Sequence, residues 1–181
     1  MRGLVLLVAL GLATPTTAQT QRTEAAGLRF SVPGTWTRIP ASSEMRAAQY
    51  RIPHASGDSE DGELILFFFG ATKGGGVQDN LDRWYGQFSQ PDGRLSRDAA
   101  VLTIRTVHGL RVTMVDLPGT YLGGGMGGGA PPAPKPGWRM LGAIIEGEGG
   151  PWFLKALGPD ATIRQAKGDF EALVDSLEPH R

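Results

Sequence analysis

The chain of 181 residues contains no cysteine. Disulfide bonds, thiol catalysis and a lipid anchor on an N-terminal cysteine are therefore excluded, and stability has to come from a packed core. The three histidines, His54, His108 and His180, show no spacing typical of metal ligands. A Gly-x-Ser-x-Gly nucleophile elbow is also missing. The sequence assigns no catalytic residue and no cofactor, although a Ser-His-Asp set formed only in three dimensions stays open.

Excess charge of either sign is absent as well, because 18 basic residues balance 18 acidic ones. Nucleic-acid binding needs a basic patch or stripe, and no long run of one sign is present, so we expect no nucleic-acid partner. Long apolar runs are equally lacking. Residues 3–13 form an apolar stretch of about eleven residues, whereas a membrane helix needs about twenty. We therefore expect no membrane span.

The N-terminus has the three parts of a secretory signal. Met1-Arg2 gives a positive start, residues 3–13 are apolar, and residues 14–18 are small or polar. This pattern predicts a signal peptide over residues 1–18, cleaved ahead of Gln19. Residues 19–181 are then one soluble domain, either periplasmic or extracellular, and long enough to bury a core.

Hydrophobic periodicity predicts two helices and seven strands in residues 19–181. The apolar run 64–69 is typical of a central strand covered on both faces, and His108-Gly109 is typical of a tight hairpin turn. Residues 20–26 are predicted to form a mobile polar lead-in, and residues 123–137, mostly Gly and Pro, predict a flexible loop. The predicted strands are 28–32, 48–52, 64–69, 101–107, 110–117, 138–146 and 152–157, and the predicted helices are 77–88 and 160–177.

Short connections between these segments predict an α+β fold. The sheet is mostly antiparallel, has about seven strands, and is covered by the two helices as an α/β/α sandwich. The aromatic residues fit this arrangement. Trp84 lies on the apolar stripe of the first helix, which places it against the strand at 64–69. Trp138, beside the predicted loop, is an alternative candidate for a sugar-stacking platform.

Three features resemble the Mog/PsbP-like superfamily: the Phe30-Ser31-Val32-Pro33-x-x-Trp36 turn, the order of strands and helices, and the amphipathic C-terminal helix ending at 173–177. The block 43–91 resembles a family of uncharacterised exported bacterial proteins. The resemblance implies an antiparallel sheet between helices and an accessory or binding role, with no catalytic set to transfer. The residues of the second resemblance are Met45, Arg46, Gln49, Gly57, Asp58, Glu60, Asp61, Glu63, Leu64, Phe68, Gly70, Gly74, Gly75, Asn80, Arg83, Trp84, Gln87, Phe88 and the Pro-Trp-Phe at 151–153.

An acidic loop supplies the candidate metal ligands Asp58, Glu60 and Asp61. Calcium takes six to eight oxygen ligands, but counting back from Gly62 gives only one acid at the EF-hand positions. We therefore interpret the loop as a solvated connector and keep metal binding as an alternative.

A glycine turn supplies the candidate anion ligands Lys73, Gly74, Gly75 and Gly76, between a predicted strand and a predicted helix. Backbone N–H groups at such a place can hold an anion. The P-loop pattern fails, because Lys and Ser or Thr do not follow the second glycine. A permissive strand-to-helix turn is the simpler interpretation.

The leading functional hypothesis is an exported, non-enzymatic domain that binds a protein or an envelope component. One alternative is a small hydrolase using Asp58, Glu60 and Asp61 with His54 or Arg46. The other is a small-ligand carrier with a pocket between sheet and helix, near the acidic loop 54–63 or the glycine turn 70–76. A pocket with convergent polar groups would favour the hydrolase. An apolar cavity would favour the small-ligand carrier, and a flat apolar patch would favour the domain that binds a protein or an envelope component.

Overall fold

The computed structural model describes residues 19–71, 73–124 and 133–180. Within these ranges the chain forms eleven strands and four helices. The strands are β1 (Thr20–Ala25), β2 (Leu28–Pro33), β3 (Thr37–Arg38), β4 (Arg46–Ile52), β5 (Gly62–Phe68), β6 (Phe88–Ser89), β7 (Val101–Val107), β8 (Leu110–Tyr121), β9 (Lys135–Gly147), β10 (Gly150–Pro159) and β11 (Glu178–Pro179). The helices are α1 (Val77–Tyr85), α2 (Ser96–Ala99), α3 (Asp160–Gln165) and α4 (Lys167–Asp175).

The large sheet has the order β3-β4-β5-β10-β9-β8-β6, and β7 pairs with β8 beside β6. Every pairing in it is antiparallel, which confirms the predicted α+β class. The hairpin between β7 and β8 also forms as predicted. His108 and Gly109 both adopt positive φ there, at 47° and 85°.

A small sheet of order β1-β2-β11 packs on one face of the large sheet together with α3 and α4. Its first strand corrects the prediction of a mobile polar lead-in, because β1 pairs with β2 along its whole length. The segment is polar since β1 is an outer strand facing solvent. Between the two sheets lies the larger core, which includes Leu28, Phe30, Tyr50, Leu154 and Phe170.

The opposite face of the large sheet carries a smaller core under α1. Trp84 of α1 is 5% exposed, which agrees with its predicted burial. Its position differs from the prediction, however. The indole sits over Gly142 of β9 and Val115 of β8, so close that a Cβ at residue 142 would lie 2.4 Å from its Cζ3. Glycine at 142 is therefore what allows α1 to approach the sheet.

The apolar run 64–69 is only partly the covered strand that the sequence predicts. β5 lies between β4 and β10, and its residues Leu64 to Leu66 are buried. Phe67, Phe68 and Phe69 are half-buried instead. Because α1 crosses over β8 and β9, it leaves the end of β5 uncovered, and this opening is the start of a groove.

Further boundaries differ from the sequence prediction. The helix predicted over residues 77–88 ends at Tyr85, and Phe88 belongs to β6. The C-terminal helix is divided at Ala166 into α3 and α4. Residues 135–137 of the predicted flexible loop belong to β9, whereas residues 125–132, and the predicted signal peptide at 1–18, lie outside the described residues. No helix in the described part of the chain has the length and apolar character needed to cross a membrane.

Candidate functional site

A groove of about 400 Å³ opens on the face of the large sheet that carries α1. Its walls are aromatic, formed by Phe67, Phe69, Trp84 and Phe153. Three cationic side chains reach it: Arg46 from β4, Arg83 from α1 and Lys155 from β10. We refer to these seven residues and the space between them as the aromatic groove.

Lys155 lies on the floor of the aromatic groove and is 7% exposed. Its strand neighbours are Ile65 of β5 and Gly142 of β9. The Nζ atom donates a hydrogen bond to Gln87 Oε1 and lies 5.5 Å from the centre of the Tyr121 ring. Within the described residues no carboxylate lies within ion-pair distance of this amine. Burial, helped by the positive charge of Arg46, lowers the pKa of Lys155 to about 8.

Glu63, an acidic side chain near Lys155 on this face, already has other partners. Glu63 lies two residues along β5 from the residue opposite Lys155, so the two are diagonal neighbours. Its carboxylate accepts hydrogen bonds from Arg46 Nη1 at 3.4 Å and from Gln49 Nε2. Gln49 in turn accepts the Ser42 N–H at 3.1 Å, which fixes the loop before β4 at the rim of the groove. The negative charge of Glu63 is thus directed toward Arg46.

Asn80 joins α1 to the glycine turn and orients Arg83. It is 2% exposed, and its Nδ2 donates to the carbonyl oxygens of Gly74 and Gly76, both at 2.8 Å. Its Oδ1 accepts from Arg83 Nη1 at 2.8 Å. This buried amide therefore satisfies three partners and holds the guanidinium of Arg83 at the edge of the aromatic groove.

The predicted anion ligands lie next to this groove rather than in it. Lys73, Gly74 and Gly75 line a shallow hollow of about 570 Å³ that shares Arg83 with the aromatic groove. Gly76 is turned differently, since its N–H donates to Asp79 Oδ2 at 3.1 Å. A carboxylate of the chain itself therefore occupies the start of α1, and this weakens the case for an external anion at Gly76.

The predicted metal ligands have separate partners. Asp58 Oδ2 accepts the Thr162 N–H at 2.9 Å and its hydroxyl at 2.6 Å. Glu60 pairs with Lys135, and Asp61 with Arg51 and His54. The described residues contain no group of three or more His, Asp or Glu side chains able to hold a metal ion. The interpretation as a solvated connector is wrong for Asp58, because this half-buried carboxylate fixes the start of α3.

The hydrolase alternative places His54 and Asp61 together but Arg46 elsewhere. His54 Nδ1 is 2.8 Å from Asp61 Oδ1, and hydrogen bonds from His54 lower the pKa of the Asp61 carboxyl. Across the described ranges, His54 has no hydrogen bond to a serine hydroxyl. Arg46 belongs to the aromatic groove. The pair thus resembles two members of a triad whose nucleophile is not in place.

Sequence reasoning missed Lys155, although the sequence contained a signal for it. The residue is the single charge in the apolar run Trp152 to Leu157. A lone lysine in a strand covered on both faces must either lie in a cavity or meet a partner. Several residues on which the sequence resemblance rested lie at the groove or directly beside it, namely Arg46, Gln49, Glu63, Asn80, Arg83, Trp84 and Gln87.

No protein-family model matches the chain, and no curated protein matches it in sequence. Solved structures do match. One is the cyanobacterial PsbP protein CyanoP of Synechocystis, with 14% identity, a TM-score of 0.52, and coverage of 94% of this chain and 98% of that one. The fold is PsbP-like. Another is PA94 of Pseudomonas aeruginosa, a protein of unknown function described as a candidate regulator, with 10% identity, a TM-score of 0.50, and coverage of 90% and 98%.

These matches confirm the PsbP-like part of the sequence resemblance. They leave the exported bacterial family untested, and at such low identity they show the fold alone. The aromatic groove must therefore be interpreted from its own residues.

Proposed function

We propose that the protein is an exported accessory domain that binds a small amphiphilic anion, an apolar group carrying a carboxylate, in the aromatic groove. The observation that supports this most directly is Lys155, a buried amine that lines the groove and has a neutral amide oxygen as its hydrogen-bond partner. The PsbP-like fold is compatible with an accessory role.

The charge of the groove favours an anion. In the described part of the chain, three basic groups reach the groove, from Arg46, Arg83 and Lys155, and the carboxylate beside them is that of Glu63. A buried ammonium without a counter-ion is unfavourable, because burial removes the water that would solvate it. A carboxylate from a ligand would supply the missing charge and would be held more strongly than in water.

The walls of the groove favour an apolar body behind that carboxylate. Phe67 and Phe69 stack with ring centres 6.1 Å apart, and Phe153 packs beside Phe69 at 5.7 Å. Side chains of this kind bury alkyl or aromatic groups, with a free-energy gain of about 25 cal/mol per Å². The volume of about 400 Å³ is typical of small-molecule pockets rather than of protein interfaces.

Titration calorimetry with decanoate tests the proposal, with decanol as the uncharged control. We expect decanoate to bind at least tenfold more tightly than decanol at pH 7. Lys155→Met should weaken decanoate at least tenfold, since removing one member of a buried charge pair costs about 2–5 kcal/mol. Lys167→Met is the matched control, because Lys167 pairs with Asp116 away from the groove and should leave binding unchanged.

Two further measurements identify the source of the carboxylate. An apolar peptide with a free C-terminus, compared with its amidated form, tests whether the groove takes a chain terminus instead of a free acid. We expect both peptides to bind only weakly, so that neither displaces decanoate from the groove. Equal affinity for decanoate and decanol, or no effect of Lys155→Met, would contradict the proposal.

A further inference from the structure

We infer that Lys155 is also a covalent site, whose side-chain amine forms an imine with apolar aldehydes that enter the aromatic groove. This inference rests on the proposed binding function, because the groove must admit an apolar guest. It adds a reaction to that binding, and the reaction has its own test.

Imine formation needs a neutral amine facing a space that a carbonyl compound can enter. Lys155 meets the second requirement, since it lines the same cavity as Phe67 and Phe153. Its hydrogen bond to the Gln87 amide oxygen leaves the lone pair of the neutral amine available for attack. Its strand neighbours Ile65 and Gly142 offer no acid that would keep it protonated.

The other lysines lie in different surroundings. Lys73 is exposed in the glycine turn, Lys135 pairs with Glu60, and Lys167 pairs with Asp116 at 2.8 Å. An exposed lysine has a pKa of about 10.4, so only about one molecule in a thousand is neutral near pH 7.5. With a pKa of about 8, roughly a quarter of the Lys155 side chains are neutral at that pH. The burial that disfavours the ammonium thus produces a selective nucleophile.

The reaction balances without an oxidant or reductant. The Nζ lone pair forms a C–N bond to the carbonyl carbon, and the C=O electron pair moves to oxygen, which takes up a proton. The nitrogen releases one proton, which gives the neutral carbinolamine. The hydroxyl of the carbinolamine takes up a second proton and leaves as water when the nitrogen lone pair forms the C=N bond, and the nitrogen then releases its second proton. One amine and one aldehyde give one imine and one water. Solvent at the open side of the groove supplies and accepts the protons.

Reductive trapping tests the inference. The protein is incubated with decanal and cyanoborohydride, and each lysine is quantified by peptide mapping, with the α-amino group mapped separately because its ordinary pKa is near 8. We expect Lys155 to be labelled at least tenfold faster than Lys73 at pH 7.5. The ratio of its rate to that of Lys73 should fall as pH rises above about 8, because the Lys155 amine is then already largely neutral, and decanoate should suppress its labelling. Lys155→Arg should abolish this labelling and leave that of Lys73 unchanged.

The outcomes separate the two proposals. Decanoate binding without selective labelling of Lys155 would overturn the imine site and leave the binding function standing. Selective labelling in a protein that shows no preference for decanoate over decanol would overturn the anion-binding function alone. Labelling spread evenly over the four lysines, or labelling of Lys155 that persists at decanoate or decanol concentrations shown by calorimetry to fill the groove, would overturn the imine site.

Discussion

Lys155 has opposite effects on folding and on binding. In the folded chain its ammonium is surrounded by apolar side chains, a hydrogen-bonding amide and a second cation, Arg46. In the unfolded chain the same group is solvated by water. The charged form is therefore less favourable in the folded state, and the residue is expected to destabilise the fold in exchange for a binding site.

The stability of a Lys155→Met variant should show this effect through its pH dependence. The folded-state pKa of about 8 lies below the unfolded value of about 10.4, so between these pH values the unfolded state binds more protons. The stability of the wild type should therefore rise relative to that of the variant as pH increases from 8 to 10. At pH 7 we expect the variant to be more stable, by up to about 3 kcal/mol.

Urea melts at pH 7, 8, 9 and 10 measure this difference. Lys73→Met, which removes an exposed lysine, serves as the control and should shift stability by less than about 0.5 kcal/mol at each pH. A difference between wild type and Lys155→Met that does not change with pH would show that Lys155 titrates normally.

Asp58 is predicted to stabilise the start of α3. Its carboxylate accepts both the N–H and the hydroxyl of Thr162, a residue 1% exposed in the first turn of α3. Asp58→Asn should destabilise the protein by about 1–2 kcal/mol, because a helix cap and a charge-assisted hydrogen bond are weakened. Glu60→Gln, in an exposed ion pair, should cost less than about 0.5 kcal/mol.

The same melts test the metal alternative. A ligand at a hundred times its dissociation constant stabilises the folded state by about 2.7 kcal/mol. Since the acidic side chains have separate partners, we expect Ca²⁺ to leave the melting temperature unchanged. A Ca²⁺-dependent rise that disappears in the Asp58→Asn variant would establish a metal site in the acidic loop.

At the scale of elements, the contact between α1 and β9 depends on the pairing of Trp84 with Gly142. A methyl group at 142 would meet the indole at 2.4 Å and Val115 Cγ1 at 2.9 Å. Gly142→Ala should cost about 1–3 kcal/mol by overpacking, and Trp84→Ala about 3–5 kcal/mol by loss of buried surface. In the Trp84→Ala background the cost of Gly142→Ala should fall, because the indole clash is gone and the close contact with Val115 Cγ1 remains.

A double-mutant cycle from denaturant melts measures that coupling. The expected coupling is favourable by at least about 1 kcal/mol. Additive effects of the two substitutions would mean that the two residues do not determine the approach of α1. The folded variants would also report on the groove, since Trp84 forms one of its walls.

The elements best predicted from the sequence are those with one buried face, because their apolar residues recur at a regular spacing. The hairpin at His108-Gly109 and the stripe containing Trp84 formed where local rules placed them. Sequence reasoning failed for β1, because an outer strand facing solvent is as polar as a loop. It also missed the break at Ala166, since the apolar spacing continues from Ile163 through to Leu177 across the division between α3 and α4.

The aromatic groove was harder to predict than the fold, for a geometrical reason. Its charged residues come from β4, α1 and β10, which are far apart in the chain and meet only through the strand order of the large sheet. Local motifs pointed instead to the acidic loop and to the glycine turn. In the sequence, Lys155 is recognisable as one charge in an apolar run. That Lys155 faces a cavity follows from the position of α1, which leaves the end of β5 uncovered.

For the whole molecule, the two faces of the large sheet are covered unequally. One face is closed by β1, β2, β11, α3 and α4, and its core is continuous. The other is covered by α1 over part of its width. The closed face can supply most of the stability, so the open face can keep a cavity that holds the buried amine of Lys155, whose charge is expected to lower the stability of the fold.

Chains that start at different N-terminal residues test the proposed export. Cleavage ahead of Gln19 would keep every pair of β1 with β2 and also the hydrogen bond from the Gly34 N–H to the Gln19 carbonyl at 2.6 Å. A chain that starts at Gln19 should therefore melt at the same temperature as the full-length protein. A chain that starts at Gly27 loses the β1–β2 ladder and the ion pair between Arg22 and Glu178.

We expect that shorter chain to melt several degrees lower, because backbone hydrogen bonds contribute about 1 kcal/mol each and β2 becomes an unpaired edge. Calorimetry of the three lengths measures this, and N-terminal sequencing of exported protein tests the cleavage site. Retention of Met1 in exported material would contradict the signal peptide. An unchanged melting temperature for the chain starting at Gly27 would show that β1 adds nothing to the fold, and cleavage anywhere before Gly27 would then be structurally neutral.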